Sequence, residues 1–395
     1  MPIVRPTLSL YGPAISAASE SLQADLTNIA VGWSRSKRGL GGDYQGELVI
    51  FKDSGYNIEH LFYNGLMYDL RETTGGARTW RGFVGEMEMV IGGDKKMRTI
   101  FDHYNYVVEY YTDNDNEIQI SGAAENATSI RRYGRREFIN TITNQDQDAA
   151  EQHRDTFLKD HGGKPRPIKV GNDSRPDCLV VKVFGYIWTL NFRYENVGDG
   201  SSDSLSDWLS EIVTTDAEYL RVGSIASNTR SVIKSTSTPI LAWDQVHKLN
   251  SIGISGAPSR YYVDHDRFFH YKLIDTVPRY FQQDGMIFGP GQASYETHAV
   301  ETDFGSRLER MRIGVNPWAL EPAVVRDQDY PSGGYFQDQW LALDVDDYMS
   351  EITVSDNGPN ELPTVSPGNA DYRESDLQLE VQRFEQMQEQ LEAKG

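Results

Sequence analysis

Within residues 80–91 (WRGFVGEMEMVI), the apolar side chains Phe83, Met87, Met89 and Ile91 share one parity and Glu86 and Glu88 the other. A two-residue period is that of a half-buried β-strand, in which successive side chains point to opposite faces. Such a strand must find ladder partners for its backbone, and the neighbouring sequence offers them. From about residue 45 to 120, segments rich in Val, Ile, Tyr and Phe alternate with clusters of Gly, Asp and Asn, the pattern of an antiparallel sheet. Gly92-Gly93 followed by Lys95-Lys96 suits a hairpin turn, and residues 98–112 (RTIFDHYNYVVEYYT) follow as a strand with Tyr104, Tyr106, Val108 and Tyr110 on one face.

Helices enter as interruptions of this framework. Residues 146–161 carry Ala149, Ala150, His153, Phe157 and Leu158 near helical spacing and stop at Gly162-Gly163, with Pro165 beyond. Serines cap a second helix over residues 204–214. Thr238-Pro239 announces a third, proline costing no hydrogen bond at a first helical position, and that helix is predicted to run to about Ser251 and end at Gly253. Residues 177–194 read as a long strand or strand pair, and strands are also expected over 259–274 and around 335–345. The Pro- and Gly-containing stretch 355–375 reads as a linker. Residues 376–394 form a helix in which Leu377, Val381, Phe384 and Leu391 fall at alternating heptad core positions, with Gln388 as a polar member of the set. These four are the candidate oligomer-interface residues; the competing reading is a frayed helix or one docked on its own subunit.

Length and composition narrow the function classes. A chain of 395 residues exceeds one usual hydrophobic core, so two to three domains are expected. Lys plus Arg number 38 against 58 for Asp plus Glu, a formal charge of -20. Nucleic-acid binding draws its affinity from Lys and Arg displacing counterions, so specific binding of that kind is not expected. Cys178 is the single cysteine, which leaves no intrachain disulfide and no cysteine-based zinc site. Prolines break the N-terminal segment, and nothing approaches the roughly 20 apolar residues of a membrane span, so the expectation is a soluble, unsecreted chain without stable membrane insertion.

The residues that tempt an enzyme assignment are weakly arranged. Asp264-His265-Asp266 with His270 gathers metal-ligand types, but strand neighbours point to opposite faces, and charged positions on an exposed strand face are the plainer reading. Glu86 and Glu88 share a face of one strand, whereas glycosidase carboxylates normally converge from separate elements. Residues 38–42 (RGLGG) lack the Gly-Lys-Ser/Thr of a phosphate loop, and no Gly-x-Ser-x-Gly is present. No catalytic, cofactor-binding or metal-ligating residue is therefore assigned.

Residues 126–140 (NATSIRRYGRREFIN) resemble a motif of phage tail hub and tail-associated proteins: Ser129-Ile130, then Tyr133-Gly134-Arg135-Arg136-Glu137 entering a strand. Physically, Thr128 or Asn126 starts a short helix, Gly134 ends it in a left-handed turn, and the basic pair sits at its negative end. In the same order come the helix to Leu158, the 204–212 helix, residues 219–228 (YLRVGSIASN), and 242–271 with Trp243-Asp244-Gln245-Val246, Leu249, Gly253 and Asp266-Arg267. The similarity is one of pattern over roughly residues 40–320.

The resemblance implies a mainly β fold with helical insertions, a β-rich α+β class, containing two tail-tube-like β-barrels. Its implied division is a first barrel at 1–145, a connector helix at 146–164, a second, discontinuous barrel at 165–235 and 300–352 and an inserted α/β domain at 236–299; the linker at 353–375 and the C-terminal helix at 376–395 are read from composition and pattern, and the helix has no match in the family. It implies a non-enzymatic baseplate or tail-tip hub in the virion, assembled in the host cytoplasm as a homotrimer. Its partners would be the tail tube or a distal tail protein on one side and central spike or tail fibre proteins on the other. Two alternatives stand beside it: a carbohydrate-binding or polysaccharide-degrading tail-borne β-sandwich, and another tail-tip or baseplate connector.

Overall fold

The computed structural model describes residues 6–13, 21–38, 40–112, 117–143, 146–195, 201–234, 239–254 and 259–273, together with the backbone of short strands beyond residue 277. The fold is β-rich α+β, and its large sheet curls into a half-barrel. The first half of the chain supplies β1 (Thr7–Pro13), β2 (Leu22–Asp25), β3 (Ala30–Arg38), β4 (Gly41–Phe51), α1 (Ile58–Asn64), β5 (Tyr68–Thr74), β6 (Ala77–Ile91) and β7 (Asp94–Thr99). There follow β8 (Tyr106–Thr112), β9 (Ile118–Ile120), β10 (Ala124–Glu125), α2 (Ala127–Tyr133), β11 (Glu137–Ile142), α3 (Gln147–His161), β12 (Ile168–Asn172) and β13 (Cys178–Gly185).

The large sheet runs β2-β1-β5-β6-β13-β4-β3 and continues through Glu351–Ser355, Thr364–Gly368, Arg307–Ile313 and Tyr295–Val300, all antiparallel. Strand β13 is central because Leu179, Val180, Val181 and Val183 are buried in succession, which requires cover on both faces. The long strand β6 changes flanking partner partway: residues 77–83 pair with β5, residues 86–91 with β7, while β13 holds its other side. The change coincides with a bulge at Gly85, where a Cβ would lie 2.5 Å from the Phe184 ring. Around it the Phe83 ring packs tilted against Phe184 and Tyr186 and edge-to-face on Phe192, at centroid distances of 5.6 to 6.2 Å. This core continues beneath α1, α4 (Leu205–Thr215) and α5 (Ala242–Ser251) through Leu61, Phe62, Leu209, Ile212, Val246 and Leu249.

A smaller sheet has β8 at its centre, with β9 and β10 antiparallel along one side and β11 parallel along the other. Its buried face, Val107, Glu109 and Tyr111, lies under α3, where Phe138 stacks on Phe157 at 4.0 Å.

Several expected elements differ. Residues 98–112 break after Thr99, because residues 100–105 turn to carry the chain from the large sheet to the small one. Only Cys178–Gly185 of the 177–194 segment is strand; Tyr186–Phe192 winds into a 3-10 helix whose Tyr186, Ile187, Leu190 and Phe192 are all buried. The third helix starts at Ala242, since Ile240–Leu241 stays extended to pair with Tyr194–Glu195. The expected 353–375 linker contains paired strands, Glu351–Ser355 taking the open side of β3 with its β-branched Ile352, Thr353 and Val354. Strand β13, from the 165–235 segment, is hydrogen-bonded to β4 and β6 of the 1–145 segment. The strand expected at 335–345 lies outside the described residues.

Candidate functional site

The segment 126–140 folds into a buried joint. Asn126 caps α2, its Oδ1 accepting from Ser129 N at 3.1 Å, and the helix ends at Gly134 with φ +72° and ψ 171°. That combination is essentially open only to glycine. It differs from the expected left-handed helical cap, because the chain must leave α2 in an extended direction to enter β11. Space is equally restrictive: Tyr219 donates its hydroxyl to the Tyr133 carbonyl at 2.7 Å, and a Cβ on Gly134 would lie 1.4 Å from that oxygen.

Asn105, wholly buried, ties the two sides of the turn. Its Nδ2 donates to the Gly134 carbonyl at 2.7 Å and its Oδ1 accepts from Arg136 N at 2.8 Å. Arg136 does not sit on the surface at a helix end. It is buried, donates from Nε to the His103 carbonyl at 2.9 Å and lies 3.5 Å over the Phe192 ring. Burial brings its guanidinium down to about 10, so it stays charged at neutral pH. Burial, and then the charge of Arg136, push His103 down to about 3, leaving a neutral ring beside Ser129 Oγ at 2.8 Å. Glu137 accepts from Arg193 Nε at 3.1 Å and Tyr194 N at 2.8 Å and pairs with Arg135 at 2.6 Å. These contacts clamp the small sheet onto the 3-10 segment of the main core.

A second buried network lies between β3, β5, β6 and Tyr186. Arg81 binds Asp69 at 2.8 Å and Arg71 binds it at 2.7 Å, with Tyr186 donating its hydroxyl at 2.8 Å. Burial alone pushes the Asp69 carboxyl up, but these donors outweigh it and hold it below the usual range. Three positions along β5, Glu72 accepts from Trp33 Nε1 at 2.6 Å, from Arg35 at 3.5 Å and from Thr79. Charges so enclosed set which strand faces which, since any slip would leave one unpaired.

A third group is acidic. Glu195, hydrogen-bonded by Trp208 Nε1, is raised to about 7 mainly by burial, and Asp216 to about 6 by burial with Glu137 and Glu211 adding.

The residues singled out for chemistry serve local structure. Asp264 closes the hairpin turn between Ser259–Val263 and Phe268–Leu273, accepting from Asp266 N and Phe268 N at 2.9 Å and from His270 Nε2 at 3.0 Å. It lies in a turn, not on the exposed strand face expected. Glu86 and Glu88 flank Lys182, at 2.6 and 3.4 Å. Arg38 pairs with Gly42 across β3 and β4, and a Cβ on Gly42 would lie 2.2 Å from the Val263 carbonyl, so this glycine admits a neighbouring strand. Among the described residues no group of three His, Cys, Asp or Glu side chains is placed to hold a metal ion, and no helix is long and apolar enough to cross a membrane. Leu377, Val381, Phe384 and Leu391 lie outside the described residues. Asn105 and Tyr219 escaped sequence reasoning because their partners stand 29 and 86 positions away.

No protein-family model matches the chain, and no curated protein matches it. Solved structures similar to this chain include two tail proteins. The 43 kDa tail protein of prophage MuSo2 from Shewanella oneidensis shares 8% identity at a TM-score of 0.42, covering 92% of this chain and 97% of its own. The tail protein from Neisseria meningitidis MC58 shares 8% identity at a TM-score of 0.45, covering 93% and 97%. A likeness at that level assigns no role to this chain.

Proposed function

We propose that the protein is a non-enzymatic structural component of a phage tail, a hub of the baseplate or tail tip that joins the tail tube to a distal spike or fibre. The observation that carries this reading is what the 126–140 motif does: Asn126, Gly134, Arg136 and Glu137 are spent on a rigid internal joint, and none presents a reactive group to solvent. A motif devoted to holding the small sheet onto the main core suits a part that transmits geometry between neighbours. The proposed arrangement is a homotrimer matching a sixfold tube, and the residues at 377–391 are proposed to reinforce it.

Two measurements test this. Light scattering after size exclusion is expected to give about 134 kDa, three times 44.7 kDa. Mass spectrometry of purified particles is expected to find the chain in tails, and a phage lacking its gene is expected to make heads without complete tails. Infectious, fully tailed particles without the chain would overturn the reading.

The carbohydrate reading draws on one observation, the paired elevation of Glu195 and Asp216, since carboxylates held protonated near neutrality are the raw material of acid catalysis. Hydrolysis of bacterial polysaccharide that disappears in Glu195→Gln would move the assignment there.

A further inference from the structure

Four segments distant in sequence bring three cations and one amide together. Arg98 stands on β7, Arg132 in the last turn of α2, and Lys164 in the loop between α3 and β12. All three gather at the end of α1. Arg98 donates from Nε to the Pro165 carbonyl at 3.0 Å and from Nη1 to the Phe62 carbonyl. Arg132 Nη2 and Lys164 Nζ converge on one neutral acceptor, Asn64 Oδ1, at 3.3 and 3.4 Å. Both of these side chains are exposed.

Among the described residues no carboxylate pairs with any of the three. Burial, and then the charges of Arg132 and Arg98, lowers Lys164; burial lowers Arg98, with Arg132 adding to it against Tyr133 and Tyr63. Three cations that repel one another, in a chain of net charge -20, make a local positive potential against the general field. Arg98 also has a donor to spare. It is 1% exposed and its Nη2 makes no hydrogen bond, while the Tyr133 hydroxyl, close enough to act on it, makes none either. A buried N–H is costly without an acceptor.

Helix ends account for part of this arrangement. Arg98 Nη1 satisfies a carbonyl of α1, and Arg132 lies at the negative end of α2. Each such end carries about half an elementary charge, so the two together balance about one cation of the three.

We propose that Arg132 and Lys164, above the buried charge of Arg98, form a binding site for a phosphomonoester group. Such a group brings three acceptor oxygens and a charge of about -2 at neutral pH. A guanidinium takes two of those oxygens side by side and an ammonium takes a third as a point charge. A carboxylate or a phosphodiester offers two oxygens and a single charge, which leaves more of the cluster unanswered. The long distances to Asn64 Oδ1 let both donors turn to a phosphate oxygen at small loss. The proposal goes beyond the tail reading and does not rest on it.

The test uses the full chain in phosphate-free buffer, with inorganic phosphate as the probe in titration calorimetry. The wild type is expected to bind one phosphate per chain. Arg132→Gln and Lys164→Gln are each expected to weaken binding at least about tenfold, the loss of one charge-assisted hydrogen bond. The double variant is expected to show no binding. Lys248→Gln removes an exposed charge on α5, outside the cluster, and is expected to stay within about twofold of wild type because salt screens separated surface charges. Circular dichroism checks that each variant keeps its fold.

Vesicles separate two sources of the phosphate. Flotation with phosphatidylcholine vesicles carrying phosphatidic acid, a monoester, but not with those carrying phosphatidylglycerol, a diester, and lost in the double variant, supports the site and assigns it to a surface-borne headgroup. Calorimetric binding without flotation supports it and assigns it to a soluble phosphate. An unchanged affinity in the double variant overturns the proposal and means an adventitious ion only. No binding at phosphate up to about 10 mM, where a Kd of about 1 mM would register, overturns it and leaves the cations as helix caps. Equal loss in Lys248→Gln overturns it as a general charge effect, and tighter binding of polyglutamate than of phosphate overturns it in favour of an acidic protein partner.

Discussion

The guanidinium carbon of Arg136 lies 3.5 Å from the centre of the Phe192 ring, and this contact ties the entry to β11 in the small sheet to the buried 3-10 segment that follows β13. A planar cation over an aromatic face, with Nε fixed to the His103 carbonyl, is a geometry lysine does not reproduce. Arg136→Lys is therefore expected to lower the urea midpoint at unchanged slope, with a loss of up to about 3–5 kcal/mol, the range for breaking a buried charged contact. Retention of the wild-type midpoint would mean that the joint is not a source of stability.

Gly134 and Tyr219 form a coupled pair. Gly134→Ala places a methyl group on the Tyr219 hydroxyl and strains a positive φ, so it is expected to cost more than about 2 kcal/mol. Tyr219→Phe removes the hydrogen bond to Tyr133 and is expected to cost about 1 kcal/mol. The double variant is expected to be more stable than the sum of the singles predicts, because the clashing oxygen is gone, and a double-mutant cycle by chemical unfolding measures that coupling.

Glu72 serves Trp33, Arg35 and Thr79 at once. Glu72→Leu leaves Arg35 buried without that carboxylate and is expected to cost about 3–5 kcal/mol. Adding Arg35→Met is expected to recover a large part of the loss, since an apolar pair needs no counter-charge. Thermal unfolding of the two variants side by side gives the answer.

The carboxyls predict opposite responses to pH. Glu195 and Asp216 have folded values of about 7 and about 6, above the ordinary 4.5 and 3.8. The folded state holds more protons there, so their contribution is complete below the ordinary values and is lost as pH rises from about 4 through 7. Asp69 is lowered, so its contribution is present above 3.8 and is lost as pH falls below that. Urea midpoints are expected to decline between pH 5 and 7.5 in the wild type, and Glu195→Gln is expected to flatten that decline.

Periodicity and capping are local properties, and they determined much of this protein from the sequence alone. The parity of residues 80–91 announces β6, Asp146 and Ser204 mark the starts of α3 and α4, and Asn126 and Gly134 bracket α2. The β-rich class follows from the same signals. The 186–192 segment shows the limit: its aromatic and branched residues suit a strand, yet it winds into a 3-10 helix that buries Tyr186, Ile187, Thr189, Leu190 and Phe192. Which strands are neighbours was decided by tertiary structure. Nothing near Cys178–Gly185 in the chain says that it inserts between β4 and β6, and nothing near Arg136 says that its charge will be buried against Phe192. Hydrogen-bond ladders and buried ion pairs close over long separations, and their energy depends on the whole arrangement that brings the partners together.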